Sequence, residues 1–478
     1  MSFTTIEFLL FLPIVFLLYW FVFKPLRWQN LLVLVASYMF YGWWDWRFLC
    51  LIALTSVCSY GSGLLIKHYE GRRSCQKAVS SANIVLNLGI LATFKYYNFF
   101  VTSLEDLLGV FGLDVDWPTA KIILPVGISF YTFQALSYSI DVYRKKIEPT
   151  RNPIAFFAFI SFFPQLVAGP IERATNLLPQ FLQPRRFDYT RAVDGLRQML
   201  WGFFKKMVIA DGCASVVDAL WANYAHQGAL NLTIGCVLFT FQIYCDFSGY
   251  SDIAIGCARL FGFNLMRNFA RPFLSVNIPD FWRRWHISLT SWFRDYVYIP
   301  LGGNRRSRWR TVMNTLVVFA ISGLWHGANW TFVLWGVYHG VLISLFVLTV
   351  GRSRYGKSGV DTLGVRQCGA MLVTFALVVI GFFIFRAPSV TLAADYVRHL
   401  FTNPLLTTTG LAGTKMLMLC AALMVVEWLQ RDVDHPLQFA ATTPPTKWVA
   451  CRWGIYLSLV LACLLTYSGS HDFIYFQF

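Results

Sequence analysis

Apolar residues in this chain come in runs the length of a bilayer rather than in the one-sided stripes of soluble helices. A helix rising 1.5 Å per residue needs about 20 apolar residues to cross the hydrocarbon core. Such runs recur at 6 to 23, 30 to 43, 46 to 66, 82 to 101, 121 to 143 and 198 to 220. They continue at 231 to 260, 311 to 328, 331 to 350, 368 to 386, 411 to 429 and 453 to 469. The pattern predicts an all-α polytopic membrane protein with about twelve crossings. Two stretches are too polar and too punctuated for simple spans, FFPQLVAGPIER at 162 to 173 and NIPDFWRRWHISLTSWFRDYVYIPLGG at 277 to 303. Proline, glycine and charge there predict re-entrant or interfacial helices, and irregular backbone at membrane depth survives only where protein or a water cavity covers it.

Basic clusters punctuate the runs at Lys24 with Arg27, Lys67 to Lys77, Arg144 to Arg151, Arg185 with Arg186, Arg305 to Arg310, Arg352 to Lys357 and Arg431 to Arg452. The acidic segment 104 to 116 and the segment 470 to 478, which has no Lys or Arg, alternate with them. By the positive-inside rule both termini face the extracytoplasmic side. Arg398 in an outer loop, and Lys205 with Lys206 inside an apolar run, cut across this assignment. The opening MSFTTIEFLLFLPIVFLLYWFVF lacks a basic n-region and a small-residue cleavage signature, which predicts a retained first helix. With no linker, fixed-period repeat or low-complexity tract, the expected organisation is a single membrane domain over 1–478.

Composition narrows the classes further. The 478 residues are 56% hydrophobic and 13% charged, against about 25% charged in soluble domains, which excludes an ordinary soluble enzyme. The net charge of +16 belongs to cytoplasmic loops rather than to nucleic-acid binding. Eleven cysteines without a C-x-x-C pair argue against a disulfide framework and against a zinc site.

An ionisable side chain in hydrocarbon costs on the order of 3 kcal/mol, so each one is a functional candidate. His326 stands in SGLWHGANWTFVLWGVYHG, 322 to 340, flanked by Trp325, Gly323 and Gly327, with His339 thirteen residues on. A neutral imidazole there can accept a hydroxyl proton, or it can be a hydrogen-bonded structural histidine. Arg283, Arg284, Trp285 and His286 form a second constellation. Trp282, Trp285 and Trp292 would sit at the interface while the guanidiniums meet lipid phosphates, or the arginines would guard a cytosolic mouth for an anionic cofactor such as coenzyme A. Asp246 and Asp252, in FQIYCDFSGYSDIAIG at 241 to 256, must be paired, hydrogen-bonded or protonated. Asp246 could orient a histidine, bind a basic partner on another helix or serve as scaffolding, and the pair could line an ion pathway, which keeps a transporter open.

In this order the motifs resemble the membrane-bound O-acyltransferases, in the bacterial branch that holds alginate O-acetylation and teichoic-acid D-alanylation membrane subunits. The resemblance rests on LPVGISFYTFQALSYSIDVYR at 124 to 144, FFPQLVAGPIER, YCDFSGYSDIAIG, the 277 to 303 stretch, the 322 to 340 stretch and the closing FIYFQF at 473 to 478. It implies tilted helices around a central tunnel with a funnel on each side. His326 aligns with the family's key histidine, and His286 falls on its second polar position. It further implies that acetyl-CoA, another acyl-CoA or an acyl carrier protein presents a thioester from the cytosol, with no permanently bound cofactor and no metal. An extracytoplasmic SGNH-type partner would complete transfer to a glycan acceptor. Tyr475 in the closing motif could carry the acyl group as an ester, with His326 as its base, or could be an aromatic anchor. Direct acylation of a lipid or protein remains the rival within the family.

Overall fold

A computed structural model describes residues 1–478 except 114, 116, 120, 121, 168, 306, 351–363, 407–409, 439–445, 468–472 and 475–478. Every regular element among the described residues is helical. Among the described residues six helices are long and apolar enough to cross a membrane, namely Trp46–His68, Arg73–Val110, Ala229–Leu260, Trp330–Thr349, Val365–Arg386 and Trp448–Thr466. The other predicted crossings are shorter or more polar. The run at 121 to 143 becomes helical only at Ile128, because Gly127 takes a left-handed turn (φ 73°), leaving a helix of 16 residues, Ile128–Tyr143. The helix at 414–429 is likewise 16 residues long.

The chain groups into two compact units, Met1–Gly195 with Ala254–Met266, and Leu196–Ile253 with Arg267–Phe478. In the first, buried amides and hydroxyls tie broken helices together. Asn30 donates to the Phe181 carbonyl at 2.8 Å, Gln134 donates to the Phe159 carbonyl at 2.7 Å, and Ser37 Oγ accepts the Phe163 N–H at 3.0 Å. A buried polar group without a partner costs on the order of 1–3 kcal/mol, so these bonds fix how the short helices Pro153–Ser161, Phe163–Leu166 and Ala174–Leu182 lie. The stretch 162 to 173 is thus the expected broken segment. It carries the fully buried Glu172, which accepts Asn176 Nδ2–H at 2.7 Å and the Met266 N–H.

The second unit answers why two lysines interrupt an apolar run. A π-helical turn, Phe204–Ala210, brings both into the interior. Lys205 Nζ lies 2.6 Å from Asp252 and donates to Ser248 Oγ at 2.9 Å; Lys206 Nζ lies 2.8 Å from Asp246 and 2.7 Å from Asp211. Both of the carboxylates singled out on the Ala229–Leu260 helix are therefore neutralised by cations.

Removing one partner of a buried pair strands charge, so Lys206→Met is expected to cost about 3–5 kcal/mol, measured as a fall in the thermal midpoint in nanodiscs; an unchanged midpoint would contradict this. A second expectation concerns pH. Burial outweighs the hydrogen bonds from Asn176, Met266 and Arg173 and the charge of Arg173, and raises the Glu172 carboxyl from 4.5 to about 7. The native state then holds a proton that the unfolded chain releases, so stability falls as pH rises from about 4.5 to about 7 and levels off above. Glu172→Gln removes this slope; parallel melting curves for variant and wild type across that window would sink the assignment.

Candidate active site

The HGAN tetrapeptide at 326 to 329 is a helix stop followed by a helix start. His326 ends the Arg308–His326 helix and Gly327 leaves it in an extended conformation (φ −162°, ψ 153°). Asn329 then caps Trp330–Thr349, its side chain accepting the Thr331 N–H at 3.1 Å and donating to the Pro388 carbonyl at 2.8 Å. The two helices cross at glycines. A Cβ on Gly323 would lie 2.2 Å from the Phe332 carbonyl oxygen, and one on Gly336 would lie 2.1 Å from that of Phe319. Only hydrogen fits at these crossings, and the close approach carries His326 against the second helix.

His286 reaches the same place by another route. It joins the short helices Ile278–Arg284 and Ile287–Phe293 in the left-handed region (φ 44°, ψ 53°), which costs a non-glycine residue on the order of 1–2 kcal/mol. That strain turns the imidazole inward, where its centroid lies 6.3 Å from that of His326. Trp325 lies 6.0 Å from His286 and 5.0 Å from His326, and Trp335 (5.0 Å) and Phe385 (5.5 Å) flank His326. Both histidines are almost fully buried. Burial pushes the His286 imidazole down to about 3, leaving it neutral near pH 7.

His339 is outside this direct pair. Its ring packs against Trp282 (5.1 Å), Tyr338 (5.2 Å) and Trp335 (5.3 Å), and neither ring nitrogen has a hydrogen-bond partner among the described residues. Trp335 touches both His326 and His339 and so links the two.

The arginines divide. A cavity of about 810 Å³ is lined by Arg283, Arg294 and Arg305 at polar positions and by Trp282, Phe319 and Ser322 among its other walls. Neither His286 nor His326 is among its lining residues; Ile287, next to His286, and Ser322, one helical turn before His326, are its closest approaches to them in sequence. Arg284 is held by Asp280 (3.1 Å) and is not among the lining residues, and Trp285 is buried against Phe269, Phe281 and Phe382. Trp282, Trp285 and Trp292 were expected at the membrane interface and are instead buried. Two seven-residue helices with a left-handed kink between them turn these rings inward, which a single amphipathic helix would not do.

Asp246 orients neither histidine. One of its oxygens meets Lys206, and the other accepts the backbone N–H of Ile474 at 2.7 Å. Phe473 beside it packs on Tyr250 (4.5 Å) and Phe247 (5.6 Å), and Phe247 is edge-on to His286 at 4.6 Å. Tyr475 lies outside the described residues.

Residues 38–355 match the model of the membrane-bound O-acyltransferase family. The chain belongs to that family. It is similar to the probable alginate O-acetylase AlgI of Pseudomonas putida, at 40% identity over 98% of this chain and 98% of the relative. It is also similar to the peptidoglycan O-acetyltransferase of Helicobacter pylori, at 31% identity over 91% and 84%. The teichoic acid D-alanyltransferase of Bacillus subtilis is 27% identical over 56% of this chain and 70% of its own length. The protein is thus a membrane O-acyltransferase, and the histidine pair is the candidate centre of that chemistry.

Two polar groups that contact candidate site residues escaped the reading of the sequence. Asp280, fully buried, meets Arg283 at 3.5 Å and Arg284 at 3.1 Å; its spacing of three and four residues was the available signal. Asn268 contacts His286 across 18 residues of sequence, and no local pattern announces that. Because Gly336 admits the helix crossing, Gly336→Val is expected to reduce folded yield and acyl transfer together, whereas Gly454→Val, with open space at its Cβ, should leave both unchanged. Size-exclusion profiles and turnover of the two variants check this.

Proposed function

We propose that this protein takes an acyl group, acetyl as the first candidate, from a cytosolic thioester and passes it across the bacterial cytoplasmic membrane for O-acylation of a cell-envelope glycan. The observation that carries the reading is the buried His286 and His326 pair, 6.3 Å between ring centroids, on the same segments as Arg283, Ile287 and Ser322, which line a cavity bordered by arginines. Arg283 suits the phosphates of coenzyme A or of a carrier protein's prosthetic arm. The apolar walls near Trp282 and Phe319 suit the arm and its acyl group.

In the proposed reaction a hydroxyl oxygen attacks the thioester carbonyl. The C–O bond forms, the C–S bond breaks, the hydroxyl proton passes to His326, and His326 returns it to the departing thiolate. The carbonyl end of the Arg308–His326 helix favours the positive charge that His326 carries in between. The docking of Phe473 and Ile474 beside Phe247 supports Tyr475, the next residue, as the first hydroxyl to receive the acyl group. An extracytoplasmic SGNH-type partner would then move it to the glycan, with both termini of this chain on the outer side. The probable alginate O-acetylase and the peptidoglycan O-acetyltransferase among the relatives support acetyl and glycan as the substrate classes.

The test is radiolabelled acetyl-CoA with purified protein in lipid, with and without an extracytoplasmic partner. Wild type is expected to release free CoA and acquire label. His326→Ala should lower CoA release by at least about 10²-fold, and Tyr475→Phe should abolish label on the protein. Undiminished release by His326→Ala would overturn the site; release without label on the protein would overturn the tyrosine relay alone.

A further inference from the structure

His286 has two ring nitrogens, and the residues around it decide which carries the proton. Its Nδ1 lies 3.1 Å from Asn268 Oδ1. The same oxygen accepts from Ser288 Oγ at 2.9 Å and faces the Ser288 backbone N–H at 3.4 Å. A backbone N–H can only donate, so the atom of Asn268 that points here is its carbonyl oxygen. The amide nitrogen on the other side donates to Ser251 Oγ at 3.1 Å, which agrees with that orientation. An oxygen cannot donate, and therefore the Nδ1 facing it bears the hydrogen. The Nε2 of His286 is left with a lone pair and no hydrogen-bond partner among the described residues.

The backbone of Asn268 reinforces the arrangement. Its carbonyl accepts the Ile287 N–H at 2.8 Å, so side chain and main chain together hold residues 286 to 288 in the strained left-handed turn. Strain of this kind persists only where the surroundings over-determine it, and such places cluster at functional sites. A buried acceptor with nothing bonded to it costs on the order of 1–3 kcal/mol, which is regained when a donor arrives. The His326 ring lies 6.3 Å away between centroids, beyond Phe247 at 4.6 Å and Trp325 at 6.0 Å, a separation that one bridging oxygen can span.

We infer that Asn268 is a positioning residue of the acyl-transfer site: by accepting Nδ1–H of His286 it fixes the tautomer whose Nε2 lone pair stabilises His326, through one bridging oxygen, once His326 has taken the hydroxyl proton. This rests on the proposed role of His326 as base. His286 then works as an acceptor, and Asn268 touches neither substrate nor the reacting atoms.

The first measurement needs no turnover. ¹⁵N-histidine-labelled protein in nanodiscs gives the two ring-nitrogen resonances of His286, assigned by their loss in His286→Gln. A protonated Nδ1 and a bare Nε2 are expected; a proton on Nε2 overturns the inference even if every Asn268 variant fails to fold. Kinetics supply the second arm. Asn268→Ala should lower kcat on the order of 10²-fold with KM for the thioester nearly unchanged. Asn268→Asp, which keeps an acceptor at the same place, should restore the single tautomer and most of kcat. Undiminished kcat in folded Asn268→Ala overturns the inference. If His326→Ala and His286→Gln both transfer acyl groups normally, the reading of the site fails instead; if both are inactive while wild-type His286 is protonated on Nε2, only the role of Asn268 fails.

Discussion

An apolar interior does not tolerate an unpaired charge, and much of the second unit's arrangement follows from how it meets that constraint. Lys205 and Lys206 occupy neighbouring positions in one π-helical turn, and each finds a carboxylate on the Ala229–Leu260 helix, Asp252 and Asp246. Desolvating such ions costs several kcal/mol each, and only close pairing with further hydrogen bonds offsets it. The two segments are therefore locked in register: sliding either by one residue would separate both pairs at once. Asp246 has a second oxygen to satisfy, and the backbone N–H of Ile474 satisfies it. The same carboxylate that fixes the helix contact thus fixes where the C-terminal segment docks. With Phe473 lodged against Phe247, and Phe247 against His286, the ion pairs reach the histidines through two aromatic contacts.

The histidines themselves are held by shape and by strain. The glycine crossing of the two helices around His326 leaves no room for a Cβ, and the kink at His286 keeps a residue in backbone space it would not choose alone. Indole rings of Trp325 and Trp335 occupy the space in which solvent would otherwise gather. A pocket of this kind strengthens every electrostatic interaction inside it and spares the reaction the reorganisation of water. Arg283 and Arg284 share the buried carboxylate of Asp280, and Arg283 also lines the cavity, so guanidinium charge stands along the cavity.

What the sequence made legible was local. The HGAN turn could be located because its stop and start residues lie side by side, and the runs of apolar residues marked the helices longer than 18 residues well. The run at 121 to 143 was overextended because Pro125 and Gly127 end the helix within it, a signal present in the sequence but outvoted by hydrophobicity. The tryptophans of 277 to 303 were misplaced for a different reason: an interfacial helix and a pair of short buried helices share the same composition, and only the left-handed residue between them tells the two apart. Lys205 and Lys206 looked like exceptions to a topology because their partners lie about 40 residues further on. Asn268 was invisible for the same reason, since its partner is brought to it by the fold and not by spacing.

On the proposed reaction, charge balance selects the order of proton movements. Before attack, burial keeps the His286 imidazole neutral. Proton uptake by His326 creates one cation alongside the oxyanion of the tetrahedral adduct; among the described residues Asp246 and Asp252 are committed to lysines, and Asp280 to arginines. A carboxylate at that position would hold the imidazolium too well and slow its return of the proton. A neutral acceptor such as Nε2 of His286 stabilises the cation less, enough to lower the barrier and not enough to trap the proton. The thiolate released by C–S cleavage is the anion that ends this imbalance, taking the proton from His326 and leaving both rings neutral. Charge therefore appears in the pocket only between proton uptake and thiol departure, and the neutral rings at either end of the cycle need no counter-ion.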